Sequence, residues 1–192
     1  MAPEKSSPPE VALLEPFLNT VDLERFGEKA SKPDDERDAI DSPSTLKRWL
    51  VERDLLGPRG RVTNADVEAA IELRNGLRAM LRAAQGLPFD EDDLRRARRL
   101  SRRTPLSIDL GSDGAPRLHP SDENVRGALG RLLSDVMVAA ATGALLRVKV
   151  CSAEDCQFVF YDRSRSRTQR WCAMETCGNR VKTRRYRHRH RG

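Results

Sequence analysis

Residues 151–177 read CSAEDCQFVFYDRSRSRTQRWCAMETC, and they hold all four cysteines of the chain: Cys151, Cys156, Cys172 and Cys177. The spacing is C-x4-C, a fifteen-residue spacer, then a second C-x4-C. Two matched pairs of thiols suit one tetrahedral Zn2+, and a filled all-thiolate shell leaves no open position for a substrate, so the expected ion is structural. The four-residue gap is wider than the commoner two-residue knuckle. Spacing alone therefore leaves an iron–sulfur cluster or two disulfides as alternatives.

The sequence around these cysteines is poor in core-forming side chains. Of the 42 Leu, Ile, Val and Phe in the chain, 36 precede Arg147 and only six follow it. Burial of six such side chains cannot offset the chain entropy of 46 residues, so a metal is expected to staple the segment. Val148-Lys149-Val150 alternates as a short strand would, and residues 157–161 are β-prone and aromatic, which predicts a hairpin-like arm gripping the ion. Residues 162–169 form a polar, Arg-rich loop, and Trp171 is expected to pack over the hairpin.

Phe160-x-Asp162, the Arg/Ser-rich loop, Arg170-Trp171-Cys172-Ala173-Met174 and Cys177-Gly178-Asn179-Arg180-x-Lys182 together closely resemble the CGNR zinc finger, over residues 147–185. Proteins with that finger commonly carry an ABATE domain in front of it. Phe17-Leu18-Asn19-Thr20-Val21-Asp22 and Leu46-x-x-Trp49-Leu50 are similar to the opening of that domain. The resemblance implies a bacterial, stress-induced transcription regulator that touches DNA through the finger.

Charge divides in the same place. Residues 147–192 hold 13 Lys+Arg against 4 Asp+Glu, whereas residues 1–146 hold 22 against 25. Residues 178–191 contain no acid and no proline, which predicts a basic helix with Asn179 as its N-cap. Such a helix puts Arg180, Arg184, Arg187 and Arg191 on one stripe and Lys182, Arg185 and Arg189 on another, with Val181 and Tyr186 as its only substantial apolar groups. So self-repelling a helix is expected to order on phosphates. The candidate nucleic-acid contacts are Arg167, Arg170, Asn179, Arg180, Lys182, Arg184, Arg185 and Arg187, with Asn179 and Arg180 as base readers. The competing reading is a solvated tail in an Arg-biased chain, since 29 of 35 basic residues are Arg. That bias alone does not explain why the Arg-rich, acid-poor run sits directly behind the cysteines.

Residues 1–9 read as a polar extension and residues 30–38 as a charged loop. Ser42-Pro43 opens a helix carrying Leu46, Trp49, Leu50 and Leu56, expected to close at Gly57. Thr63-x-x-Asp66 caps a helix whose Ala70, Leu73, Leu77, Met80, Leu81 and Ala84 recur at helical spacing up to Gly86. Asp90 caps another, with Leu94, Ala97 and Leu100 inward and an arginine run outward that reads as solvated. Leu106, Ile108 and Leu110, a Gly111–Gly114 turn and residues 116–119 predict a hairpin, and Ser121 is expected to cap a long helix that ends at Gly143.

The longest nearly apolar run, residues 136–146, is too short to span a bilayer, and residues 1–10 lack the apolar segment of an export signal, so the cytoplasm is the expected compartment and no membrane partner is expected. No phosphate-binding glycine loop, dinucleotide fingerprint or nucleophile motif appears in residues 1–146, and no enzyme activity is expected.

The expected fold is α+β and mainly α. A short extension (1–9) precedes a helical regulatory domain with one β-hairpin (10–146), and a four-cysteine zinc module with a basic C-terminal helix follows (147–192). The expected function is DNA-binding transcription regulation, with the first domain sensing a small-molecule signal or mediating homo-oligomeric assembly. The alternatives are an RNA- or ribosome-associated zinc protein, and a small-molecule-binding domain fused to a protein-interaction finger.

Overall fold

A computed structural model describes residues 7–33 and 37–190. Among them, six α-helices and two antiparallel hairpins form the expected mainly helical α+β fold. Of the predicted N-terminal extension, residues 1–6 lie outside the described region, as do residues 34–36 of the charged loop and Arg191 of the basic stripe.

The spine is α3 (Asn64–Ala84), started by the expected capping box in which Thr63 and Asp66 exchange side chain-to-backbone hydrogen bonds. It stops in a Schellman turn, with Gly86 at φ +66° and the Leu87 N–H donating to the Arg82 carbonyl. Its Val67, Ala70, Leu73, Leu77 and Leu81 are buried in one core with Leu14, Phe17 and Leu18 of α1 (Leu14–Leu18), Leu46, Trp49 and Leu50 of α2 (Pro43–Val51), and Leu129 and Leu132 of α5 (Val125–Ala141). The Phe17 and Trp49 rings meet at 5.5 Å and 55°, a tilted pair. On another side α3 carries α4 (Glu91–Ser101), capped by Asp90 as expected. Gly76 lets these two helices touch, because a Cβ there would run into the Ala97 methyl.

Two helix boundaries differ from the sequence reading. Helix α2 ends before Gly57: Asp54 takes the left-handed conformation at φ +54°, and the Leu55 N–H donates to the Leu50 carbonyl. Asp tolerates this geometry through its short polar side chain, so glycine was unnecessary. Helix α5 is capped by Asn124, whose Oδ1 accepts from the Arg126 and Gly127 N–H groups, while the Ser121 hydroxyl turns to the Pro105 carbonyl. Its end at Gly143, φ +77°, is as expected.

The first hairpin pairs β1 (Leu106–Leu110) with β2 (Pro116–Pro120) in the register Leu106↔Pro120 to Leu110↔Pro116 and lies against α5. Ile108 and Leu110 remain exposed on it. The second pairs β3 (Val148–Val150) with β4 (Val159–Tyr161), Val148 opposite Tyr161. Val148, Val150 and Val159 are buried in the same core as α1, α3 and α5. The expected metal staple is thus joined by burial against the first domain: the arm that carries the cysteines is rooted in the main hydrophobic core.

Candidate metal centre and nucleic-acid interface

The outer edges of a two-stranded sheet normally leave outward-facing N–H and C=O groups without a strand partner. On this hairpin two side-chain amides supply the missing strand edges. The Asn19 Nδ2 donates to the Val159 carbonyl at 2.7 Å while the Val159 N–H donates to Asn19 Oδ1 at 2.8 Å. On the opposite edge, Gln85 Nε2 donates to the Val150 carbonyl at 3.0 Å and the Val150 N–H donates to Gln85 Oε1 at 2.7 Å. Each amide copies the donor–acceptor pair of a neighbouring strand, which fixes where the next residues, Cys151 and the turn to Cys156, project.

The four cysteine sulfurs all lie within 4.8 Å of one another, and none is in a disulfide. Cys156 and Cys172 Sγ are 3.7 Å apart, and Cys172 and Cys177 Sγ 3.6 Å. A tetrahedral zinc with Zn–S bonds of about 2.3 Å needs S···S edges of about 3.8 Å, so the donor set fits this ion in number, softness and spacing. Hydrogen bonds among the thiols, chiefly between Cys151 and Cys156, pull Cys151 far below the ordinary thiol range and push Cys156 above it. That competition for protons is what a dication removes by taking all four as thiolates. Cys151, Cys156, Cys172 and Cys177 thus form a metal site in the CGNR zinc finger that is consistent with one structural zinc.

Around the sulfurs sit Phe160, Ala153, Phe26, Trp171 and Val181, a small apolar shell to which the N-terminal segment contributes Phe26. Trp171 packs there as expected. Behind it, buried Asp162 organises the Arg-rich loop: it accepts from Lys149 Nζ at 2.6 Å, from the Ser164 N–H and hydroxyl, and from the Gln169 N–H at 3.0 Å. Burial by itself would raise this carboxyl, but those donors outweigh it and hold it at about 2.

The second cysteine pair continues into Met174–Gly178, one π-helical turn, and then α6 (Asn179–Arg189) without a break. At the join, a Cβ on Gly178 would displace the flexible end of the Met174 side chain and touch the Trp171 ring. Asn179 is therefore inside a continuous helix, in αR geometry at φ −66°, and not an N-cap; its Nδ2 donates to the Glu175 carbonyl at 3.5 Å. Arg180 is held inside the module. Its Nε and Nη2 donate to the two Asp155 oxygens at 3.2 and 2.9 Å, its guanidinium lies 3.2 Å from the Phe26 ring centre, and Nη2 approaches Cys177 Sγ at 3.6 Å. Arg184 reaches the same Asp155 at 2.9 Å.

The remaining candidates are free to meet a partner. Lys182, Arg185 and Arg187 are exposed on α6, which buries no residue and carries no acid. Lys182, Arg185 and Arg189 form the stripe opposite the one that Arg180 and Arg184 fasten to Asp155. Arg167 is exposed at φ +56° with its carbonyl accepting from Lys149, and exposed Arg170 lies 5.5 Å over Trp171. Sequence reasoning gave no role to Asn19, Gln85, Asp155 and Asp162, although Asp162 stood in the Phe160-x-Asp162 motif. Asn19 stood within a recognised motif, whereas Gln85 and Asp155 carry no local signal, because their partners are distant in the chain.

Residues 12–148 match the family model ABATE, "Putative stress-induced transcription regulator". The chain belongs to the ABATE family. In this ABATE protein, residues 147–190 match the CGNR zinc finger, so the two matches abut in the order the motifs suggested. No curated protein matches the chain. The ABATE domain supplies Asn19, Phe26 and Gln85 to the finger, and the CGNR signature takes on physical meaning: a metal ligand, a glycine under Met174 and Trp171, a helical Asn, and an Arg that ties the metal loop together. Among the described residues no helix is long and apolar enough to cross a membrane.

Proposed function

We propose that this ABATE protein is a DNA-binding regulator that acts without turnover: zinc fixes the π turn and α6, and α6 lays its outward stripe on duplex DNA. The observation that carries this reading is a helix of eleven residues with six Lys or Arg, no acid and no buried side chain, rigidly rooted by the Arg180–Asp155 pair. Like charges at such spacing repel one another, so only a polyanion offsets the arrangement. Lys182, Arg185 and Arg189 on the outward stripe, exposed Arg187 beside the inner one, and Arg167 and Arg170 of the loop act as phosphate contacts, and Arg180 positions the helix and does not read a base. The ABATE domain receives the signal or assembles the regulator, and transmits through the hairpin that it grips.

Binding of the zinc-loaded chain to duplex DNA, measured against salt, is the test. With five to seven phosphates neutralised, log K against log salt falls with a slope of roughly −4 to −6, and Arg185→Ala reduces that slope by about 0.9. A slope near zero, or tighter binding to structured RNA than to duplex DNA, refutes the reading.

A further inference from the structure

Arg74, Arg78 and Arg82 follow one another at four-residue intervals along α3, on the side that faces α4 and the finger. They line a cleft of about 730 Å³ whose other walls are Val21 and Leu23, the loop at Pro88 and Phe89, the start of α4 and Gln157 of the finger. The volume falls within the range of small-molecule sites.

Three arginines and three carboxylates line this cleft, but among the described residues they form no ion pair with one another. Arg74 is paired bidentately with Asp38 at 2.6 and 2.7 Å. Asp93 pairs with Arg96 at 3.7 Å, Glu91 with Arg95 at 3.6 Å, and Asp90 accepts from its own helix amides. Among the described residues neither Arg78 nor Arg82 forms an ion pair. Arg78 is only 6% exposed, and it donates to the carbonyls of Leu18 and Gln157, each at 2.6 Å. Arg82 donates to the Pro88 carbonyl at 2.6 Å and to Gln157 Oε1 at 3.1 Å. Burial, then the neighbouring Arg74 and Arg82, push the Arg78 guanidinium down to about 10. Only the charge of the Cys156 sulfur pulls the other way, and the hydrogen-bond partners of Arg78 are carbonyl dipoles; a buried cation so placed is costly, and a counter-ion relieves that cost. Five N–H groups per guanidinium leave donors over for one.

Beside these two cations the cleft offers some apolar surface among its polar walls: Phe89 is 39% exposed there, and Val21 and Leu23 also line it. We infer that the cleft between α3, α4 and Gln157 binds a small organic anion, a carboxylate on a flat apolar body, with Arg78 and Arg82 taking the carboxylate and Phe89 covering the body. This rests on, and makes concrete, the reading of the ABATE domain as the receiver of a signal. The same two guanidiniums hold Gln157, which follows the metal ligand Cys156 and sits at φ +54°. Occupancy of the cleft is thus linked to the root of the finger, and anion and DNA change each other's affinity by one common factor.

The test is calorimetric titration of the zinc-loaded full chain, without DNA, with benzoate, phenylacetate and 2-naphthoate, each against its neutral alcohol. Expected is saturable binding of at least one carboxylate, with its alcohol about tenfold weaker or more. Phe89→Ala and Arg82→Gln, both at partly exposed positions, each weaken the carboxylate by about fivefold or more while the thermal midpoint stays put. Arg78 is left intact because it is buried and also holds the Leu18 carbonyl of the core helix α1. No saturable binding of any of the three, equal binding of acid and alcohol, or insensitivity to both substitutions overturns the inference. DNA is absent from the titration, so loss of the DNA reading leaves this result legible, and an empty cleft in a chain that still binds DNA sinks the cleft alone.

Discussion

At the residue scale, the decisive side chain is Asp155. It draws Arg180 and Arg184 inward and accepts no proton at neutral pH, since hydrogen bonds from both arginines overcome the upward push of burial on its carboxyl. Arg180→Ala removes the bidentate pair, the stack on Phe26 and the contact to Cys177, so zinc affinity is expected to fall by about tenfold in a chelator competition. Arg185→Ala is expected to leave zinc affinity alone. An unchanged zinc affinity in Arg180→Ala would return that residue to the surface. Asp162 makes a second case. Asp162→Ala strands Lys149, 13% exposed, and frees the loop that holds Arg167; a loss of about 3 kcal/mol and a drop in melting temperature of roughly 6–10 °C are expected by thermal denaturation. Because its folded pKa lies below the unfolded value, Asp162 stabilises the fold above about pH 4, and that contribution disappears as pH falls toward 2.

At the scale of elements, α3 and the β3–β4 hairpin explain most of the architecture. Gly76→Ala forces α4 away from α3, with the Asp93 carbonyl 2.9 Å from the new methyl, and is expected to cost about 2 kcal/mol in a denaturant titration. Full stability in that variant would show that the helices slide freely. Metal removal separates two kinds of order within the finger. The hairpin keeps Asn19, Gln85 and the buried valines, whereas the thiol loops, the π turn and α6 have little besides zinc and Asp155. Hydrogen exchange after chelation should therefore accelerate over residues 151–157 and 171–189 while Val150 and Val159 stay protected. Uniform acceleration across residues 147–190 would contradict the docking of the hairpin.

For the whole molecule, one apolar core and one metal cluster share the work of folding, and the seam between them carries Arg78, Arg82 and Gln157. The cleft and α6 are both fastened to that seam. Under the proposed function, these contacts are the route between the cleft and the finger. Substituting Gln85→Ala, which touches neither zinc nor α6, is expected to weaken DNA binding by releasing the β3 edge, and a filter-retention or fluorescence measurement on duplex DNA checks it. DNA affinity equal to that of the parent chain would mean that the hairpin's anchoring has no bearing on α6.

The amino-acid sequence by itself determined the elements whose causes are local. The N-cap at Ser42, the capping box at Thr63, the helix ends at Gly86 and Gly143, the hairpin turn around Gly114 and the two cysteine pairs all act within a few residues, and all were legible. Helix ends at Asp54 and Asn124 were misread because several polar residues compete for such positions and packing selects among them. The tertiary structure alone decided which arginine stripe is spent and which is offered. Asp155 lies 25 residues from Arg180, Gln85 lies 65 from Val150, and Asn19 lies 140 from Val159. Contacts at that separation leave no periodic trace in a single chain, because long-range pairing is set by how buried surfaces close together and not by the spacing of neighbours.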